Sequence, residues 1–358
     1  MNKHKPTNRM LITGNEACGE GAVKAGCRFY AGYPITPQNE LTAYMSKRMD
    51  EVGGVFIQAE SELAAINMVF GASVAGARAM TTSSSPGISL KQEGISYLSG
   101  CELPAVIVNI MRGGPGLGNI APSQSDYFQA TKGGGHGDYR IVVFAPASCQ
   151  EMMDFTSHAF DIADRYRNPV MILGDGMLGQ MMEPIAVDGA GETKDNARHT
   201  KKWALTGCKG RKPNIIRSLL LKEGELEKLN IKLQKKFGEM KKNEVKYETY
   251  KTEDADVVIV AYGISSRISR AAADRLRKEK IKTGLFRPIS LWPFPYRALK
   301  SLDKGKTKFL TVEMSAGQMV EDVRLAVQDD KRIQFYGRLG GAVPTEEEIT
   351  EKIVNMAK

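Results

Sequence analysis

Cysteine is scarce in this chain, and its spacing is wrong for a metal. Cys18, Cys27, Cys101, Cys149 and Cys208 are scattered through 358 residues with no Cys-x-x-Cys pair and no histidine at zinc spacing. That excludes a zinc site of the usual kind and argues against an iron–sulfur cluster bound by this chain, which takes a recognisable run of thiolates. Long apolar runs are missing too. The longest, Ala105 to Met111, is interrupted by Asn109, whereas a bilayer span needs about 20 residues. The start, MNKHKPTNRM, leads into only Leu11 and Ile12 before Gly14, so no secretory core is expected and the cytoplasm is the expected compartment. Aromatic residues make up 7%, and no stacking platform or nucleic-acid motif accompanies the net charge of +9. Most of that charge lies between Lys201 and Tyr250, where 14 Lys and Arg face 6 Glu. A solvated helical face accounts for it. Two glycine-rich stretches also lack what a nucleotide site requires. RGGPGLGN at 112–119 has no Lys-Ser/Thr, and Asn119 stands where a dinucleotide fingerprint needs its third glycine.

What is present is an alternation of short apolar runs and amphipathic, alanine-rich stretches, the pattern of a parallel sheet with crossover helices. Strands are expected near 28–35, 55–59, 78–82, 104–111, 140–145 and 169–173, with helices at 15–26, 37–49, 61–75, 88–99 and 148–166. This predicts an α/β domain over 8–186. A basic linker with a surface helix, beginning near Ile215, is expected over 187–252, with Leu219, Leu220, Leu226, Leu229, Leu233 and Phe237 near helical spacing. A second α/β unit is expected over 253–358, with strands DVVIVAYG, KTGLFRP and KFLTVEM and a loop SLWPFP.

Several residues stand out. Glu60 and Glu62 sit at the head of an expected helix, where either carboxylate favours the helix dipole. Thr36 followed by Pro37 reads as an N-cap with proline at the first helical position, and such a terminus attracts anions. Arg112 closes an apolar strand, a costly place for a charge without an anionic partner; that partner is either a ligand carboxylate or an Asp or Glu of the chain. His136, in KGGGHGD, is as suited to ordering a loop as to acid–base chemistry. Asp175, in Gly174-Asp175-Gly176, reads as a strand-ending turn.

The segments GNEA, YPITP (33–37), ESELAA (60–65), RGGPGLG (112–118) and RPISLWPFP (287–295) resemble, in order and spacing, the 2-oxoacid:ferredoxin oxidoreductase family, closest to its branched-chain (2-ketoisovalerate) members. The resemblance implies a thiamine-diphosphate pyrimidine-binding domain followed by a transketolase C-terminal-like domain. It implies oxidative decarboxylation of a 2-oxoacid to acyl-CoA and CO2, with electrons passed to ferredoxin. Glu62, followed by x-Ala-Ala, then matches the cofactor-activating glutamate, and Thr36 and Arg112 match residues that hold the substrate carboxylate. The GDG of thiamine enzymes is followed some 25–30 residues later by Asn; here Asn196 comes too early. Mg²⁺ and diphosphate are therefore expected on a beta subunit that also carries a [4Fe-4S] cluster, alongside gamma and ferredoxin-like delta subunits. Alternatives are 2-oxoglutarate or pyruvate as substrate, a non-redox thiamine-dependent decarboxylase or transketolase-like half, and a non-catalytic scaffold.

Overall fold

A computed structural model describes residues 9–187 and 201–357. The expected linker residues 188–200, Asn196 among them, lie outside the described residues. The first sheet contains β2 (Phe29–Gly32), β3 (Val55–Gln58), β4 (Ala79–Ser83), β5 (Ala105–Met111), β6 (Val142–Phe144) and β7 (Pro169–Asp175), all parallel. Helices α1 (Gly14–Lys24), α2 (Asn39–Glu51), α3 (Glu62–Val74), α4 (Ser85–Gly100) and α5 (Cys149–Tyr166) connect or flank them. Strands β5 and β7, AVIVNIM and PVMILGD, are buried at every position, as strands covered on both faces must be. A short helix, α6 (Gly176–Gln180), leads into β8 (Met182–Ala186), which pairs antiparallel with β1 (Arg9–Thr13).

The second sheet runs β14 (Ile333–Gly337), β13 (Lys308–Glu313), β10 (Val257–Val260), β11 (Thr283–Pro288), β9 (Tyr247–Tyr250), with only β9 antiparallel. Period-2 alternation divides VVIV between two cores. Val258 and Val260 join Phe286 and Phe309 in the core continuous with the first sheet, whereas Val257 and Ile259 face Leu285, Leu310, Ile349 and Ile353. Helices α8 (Gly263–Lys278), α9 (Tyr296–Ser301), α10 (Met319–Val327) and α11 (Glu346–Ala357) complete this unit.

Three local expectations fail for tertiary reasons. SLWPFP is not wholly loop: its first residues form β12 (Ser290–Trp292), which adds antiparallel to β6, so the second unit supplies the edge strand of the first sheet. Strand β9 lies inside the segment expected to be linker and is fixed by pairing with β11. Residues 215–221 are not helical; the helix α7 (Glu225–Asn243) begins only after Gly224, whose φ of +74° breaks the helical path. Nor is α7 merely solvated. Leu233, Phe237 and Met240 are buried, Phe237 meets Trp292 edge-on with centroids 6.1 Å apart, and Lys232 and Lys236 pair with Glu102.

The two helices α1 and α5 approach at Gly21, where a Cβ would lie 2.2 Å from the carbonyl oxygen of Met153. Gly21→Ala is therefore expected to destabilise the chain by about 1–3 kcal/mol or more through overpacking against backbone. Urea unfolding of the two proteins measures this, and equal midpoints would refute the packing argument.

Candidate active site

The chain passes from β2 to β3 on one side and then crosses back to β4 on the other side of β2. Strands β2 and β4 pair only at Phe29↔Ala79 and Tyr30↔Met80, so their carboxyl ends separate. Such a switch point is where open α/β sheets form ligand crevices. Thr36 follows β2, Glu62 follows β3, Ser83 ends β4, Arg112 follows β5 and Asp175 ends β7. Strand direction thus brings all five sequence segments to one edge.

Thr36 does not cap α2. The cap is Gln38, and it makes no side-chain capping bond. The amide of Gln38 instead donates to the Ile35 carbonyl at 3.0 Å, making Thr36 and Pro37 the centre of a turn, with the peptide between them cis. The Thr36 hydroxyl accepts from Asn39 Nδ2 at 3.2 Å and is half-buried. Asn15, from GNEA, fixes this turn by donating to the Pro37 carbonyl and to Glu40 Oε2, each at 2.8 Å. Its neighbour Gly14 permits the approach of Leu178, whose carbonyl oxygen would lie 2.1 Å from a Cβ.

Arg112 is 7% exposed. Its guanidinium donates to the carbonyls of Thr36 (2.9 Å) and Leu117 (3.1 Å), and Nε has no protein partner. Among the described residues no carboxylate forms an ion pair with it, so the internal Asp or Glu partner allowed by the sequence is not found. The loop after it folds back through Gly113 N to Ala121 O and Asn119 N to Gly113 O, both 3.0 Å. At Gly118 (φ +62°) a Cβ would lie 1.7 Å from the Gly113 carbonyl oxygen, so the close turn requires glycine. A buried network sets the start of this loop. Ser85 Oγ donates to Asp126 at 2.6 Å and accepts from Arg112 N at 3.0 Å, while Asn109 Nδ2 donates to Asp126 at 2.9 Å. Burial raises the Asp126 carboxyl above its ordinary range, against the hydrogen bonds from Ser85 and Asn109.

Structure separates the two glutamates. Glu60 is exposed, whereas Glu62 is 5% exposed at the first turn of α3. Ser61 takes the cap, its hydroxyl accepting from Ala64 N at 3.1 Å. The Glu62 carboxylate lies against Ser83 Oγ (3.5 Å) and against Gly87, where a Cβ would meet Glu62 Oε1 at 2.3 Å. Lys91, which belongs to none of the motifs above, is fully buried and donates to Thr81 Oγ1 (2.9 Å) and to the Glu62 carbonyl (3.3 Å). The available signal was SPGISLKQEG itself, which sets Gly87 and Lys91 four residues apart on one helical face. Ser84, fully buried at the head of α4, has an unpartnered hydroxyl.

Asp175 caps α6, with Oδ1 accepting from Met177 N and Leu178 N, each at 3.0 Å. Burial pushes its carboxyl up to about 6, despite the backbone bonds that oppose the rise. No group of three or more His, Cys, Asp or Glu suited to a metal ion occurs among the described residues. His136 stands apart from the crevice set, 3.4 Å from Ser96 Oγ and edge-on to Tyr97. Among the described residues no helix is long and apolar enough to cross a membrane.

Burial lowers the Lys91 ammonium from its ordinary 10.5 to about 7, with Glu62 acting in the opposite direction. The unfolded chain thus binds more protons than the folded one between these values, and this group's contribution to stability is full above 10.5 and is lost as pH falls to about 7. The unfolding free energy of wild type relative to Lys91→Met should therefore rise across that window by on the order of a few kcal/mol. Denaturant titrations at several pH values measure it; a pH-independent difference would reject the buried-amine assignment.

Comparison with known proteins agrees with this architecture. The family described as pyruvate flavodoxin/ferredoxin oxidoreductase, thiamine diP-bdg matches residues 20–258, and pyruvate:ferredoxin oxidoreductase core domain II matches residues 255–349. The ketoisovalerate oxidoreductase subunit VorB of Methanothermobacter marburgensis is 50% identical over 97% of both chains. The 2-oxoglutarate synthase subunit KorA of Archaeoglobus fulgidus is 40% identical over 92% of this chain and 95% of its own. The solved 2-oxoglutarate:ferredoxin oxidoreductase of Magnetococcus marinus superposes with a TM-score of 0.87 at 28% identity, covering 99% of this chain and 66% of that one. A split-gene transketolase at 16% identity and a TM-score of 0.58 shares the fold over 96% of this chain and 97% of its own. A fold of parallel sheets, a switch in strand order between β2 and β4 and these matches across both units agree: the chain belongs to the 2-oxoacid:ferredoxin oxidoreductase family.

Proposed function

We propose that the chain is the catalytic subunit that binds the aminopyrimidine of thiamine diphosphate in an enzyme oxidising a branched-chain 2-oxoacid, 2-oxoisovalerate being the leading candidate, to acyl-CoA and CO2. The observation that carries this is a buried carboxylate, Glu62, at the same strand-end edge of the sheet as a buried arginine whose Nε has no protein partner. The residues fit the pyrimidine half of the cofactor: an acid is held in a cradle that a Cβ at Gly87 would fill.

When bound, thiamine diphosphate supplies a thiazolium that stabilises carbanionic charge. Glu62 would hold the pyrimidine ring nitrogen through a hydrogen bond at a carboxyl oxygen. Arg112, fixed by the Thr36 and Leu117 carbonyls, would present its unpartnered Nε donor to the 2-oxoacid carboxylate, and the Thr36 hydroxyl lies on the turn whose carbonyl holds it. Such a charge-assisted contact in a dry site is strong and directional. Asp175 Oδ1 is already committed to two helix amides, which supports assigning Mg²⁺ and diphosphate to a beta subunit. That subunit would also carry a [4Fe-4S] cluster, with gamma and ferredoxin-like delta chains completing the route to ferredoxin, and coenzyme A accepting the acyl group. The branched-chain preference rests on 50% identity to a ketoisovalerate oxidoreductase subunit, against 40% to a 2-oxoglutarate synthase subunit.

In the assembled enzyme, Glu62→Gln should abolish turnover while the fold and assembly persist; near wild-type turnover would transfer the role elsewhere. Arg112→Ala should lower kcat/KM for the 2-oxoacid on the order of a hundredfold or more, the cost of leaving a buried charge unmatched, with thiamine diphosphate affinity retained. Assays with 2-oxoisovalerate, 2-oxoglutarate and pyruvate, coenzyme A and a dye acceptor decide the substrate. Faster oxidation of either unbranched acid would overturn the branched-chain assignment.

A further inference from the structure

The leucine-rich segment expected to open the linker helix folds instead as an extended run without a partner. Residues 212–221 form neither helix nor turn, and from Asn214 onward their side chains alternate with the period of a β-strand. Asn214, Ile216, Ser218 and Leu220 turn inward and are half-buried. Asn214 Nδ2 donates to the carbonyls of Lys202 (2.7 Å) and Ala204 (3.0 Å). Ile216 packs on the first core, and Ser218 lies against Gly100 at the end of α4. Ile215, Leu219 and Leu221 alternate with them at 75%, 71% and 85% exposure, and Arg217 is exposed in the same row. Among the described residues, no backbone group of residues 215–221 bonds to another backbone group. The inner row thus fixes a strand whose edges and outer row are open, a template for pairing with another chain.

Charge narrows what pairs there. Residues 201–222 carry seven Lys and Arg and no Asp or Glu. Lys201 pairs with Asp164 and Arg217 with Glu225, whereas Lys202, Lys209, Arg211, Lys212 and Lys222 are exposed and have no ion pair among the described residues. A second copy of the strand would set two such cationic runs against each other, which like-charge repulsion opposes. A lipid surface would attract the cations and take up the aliphatic side chains, yet hydrocarbon offers the open backbone groups no hydrogen-bond partner. A strand bearing acidic side chains satisfies backbone, apolar row and charge together. We infer that residues 214–221 are a docking strand, to which an extended acidic segment of a different protein chain adds through backbone hydrogen bonds. Apolar side chains of that segment lie beside Ile215, Leu219 and Leu221, and its carboxylates meet the flanking lysines. In such strand addition the main chain supplies affinity and the alternating side chains supply specificity. The inference is independent of the role proposed for Glu62.

Hydrogen exchange read by mass spectrometry, in the full-length chain alone and in the complex purified with its native partner chains, tests this. The amides of residues 215–221 should exchange rapidly in the chain alone and slow by about tenfold or more in the complex. A zero-length carbodiimide, which joins lysine amines to carboxylates, should link Lys212 or Lys222 to an Asp or Glu of a partner chain. Combining Lys212→Glu with Lys222→Glu should remove both the link and the protection, and leave the urea midpoint of the isolated chain unchanged. Leu219→Pro, which deletes one strand amide at an exposed position, should also remove the protection. Equal exchange of these amides in the chain alone and in the complex would overturn the inference. Protection that arises only with self-association of the isolated chain would assign the strand to a second copy and overturn it as well. So would protection seen only with vesicles of phosphatidylserine and phosphatidylcholine, which would assign the strand to a membrane.

Discussion

Keeping a carboxylate out of water at the first turn of α3 constrains everything around the crevice. An isolated buried carboxylate costs far more than a helix dipole returns, since the dipole contributes only about 0.3–1 kcal/mol. Glu62 is therefore accommodated by three separate features: Ser61 relieves it of the capping role, Gly87 leaves room for its carboxylate, and the Lys91 amine holds its backbone carbonyl. Two of these come from α4, so the docking of α4 on α3 determines where the acid points. The same helix begins at Ser85, whose hydroxyl holds the backbone of Arg112. The two ends of the crevice are consequently registered to one another by a single helix start.

Much of this was legible in the sequence, and the pattern of what was not is physical. Parallel strands buried on both faces read as unbroken apolar runs, and helices between them carry a 3.6-residue period, so β2 to β7 and α1 to α5 were visible. What escaped depends on partners distant in sequence. β12 exists because β6 offers an open edge, β9 because β11 does, and α7 is covered because Phe237 meets Trp292. Thr36 was misjudged because Thr-Pro has the composition of a helix start, while the Ile35–Gln38 turn and the Asn15 contact displace the true start to Asn39. Lys91 escaped because a lysine in an amphipathic helix is assigned to solvent by default.

The second unit is more than an appendage to this crevice. Gln124, in the stretch after the Arg112 loop, donates to the Tyr262 carbonyl and accepts from Ser265 Oγ and Met314 N. Asn119, within that loop, donates to the Gly340 carbonyl at 2.8 Å. Tyr127 and Lys132 of the first unit, with Tyr296 of the second, converge on the buried Asp322. RPISLWPFP, one of the segments that resemble the family, has an architectural meaning here. Arg287 joins Glu248 to Glu151, and the residues after it complete the edge of the first sheet.

Three buried polar atoms without protein partners belong to segments at the carboxyl-end edge of the first sheet: Asn15 Oδ1 beside the Pro37 turn, Ser84 Oγ at the head of α4, and Arg112 Nε. Native interiors pair nearly all such atoms, and leaving a charged one unpaired is the costliest case. Yet the backbone at Arg112 is held by Ser85, the head group by two carbonyls, and the loop by Asn119, so the side chain is immobilised rather than left to find a partner within the chain. Rigid, desolvated and incompletely bonded donors are what a site for a small anion requires, because the ordering cost is met on folding and not on binding. The amine of Lys91 differs, since its hydrogen bonds go to Thr81 and to the backbone of Glu62 inside the same protein. The arginine thus keeps a buried donor without a protein partner, whereas the lysine's contacts lie within the chain.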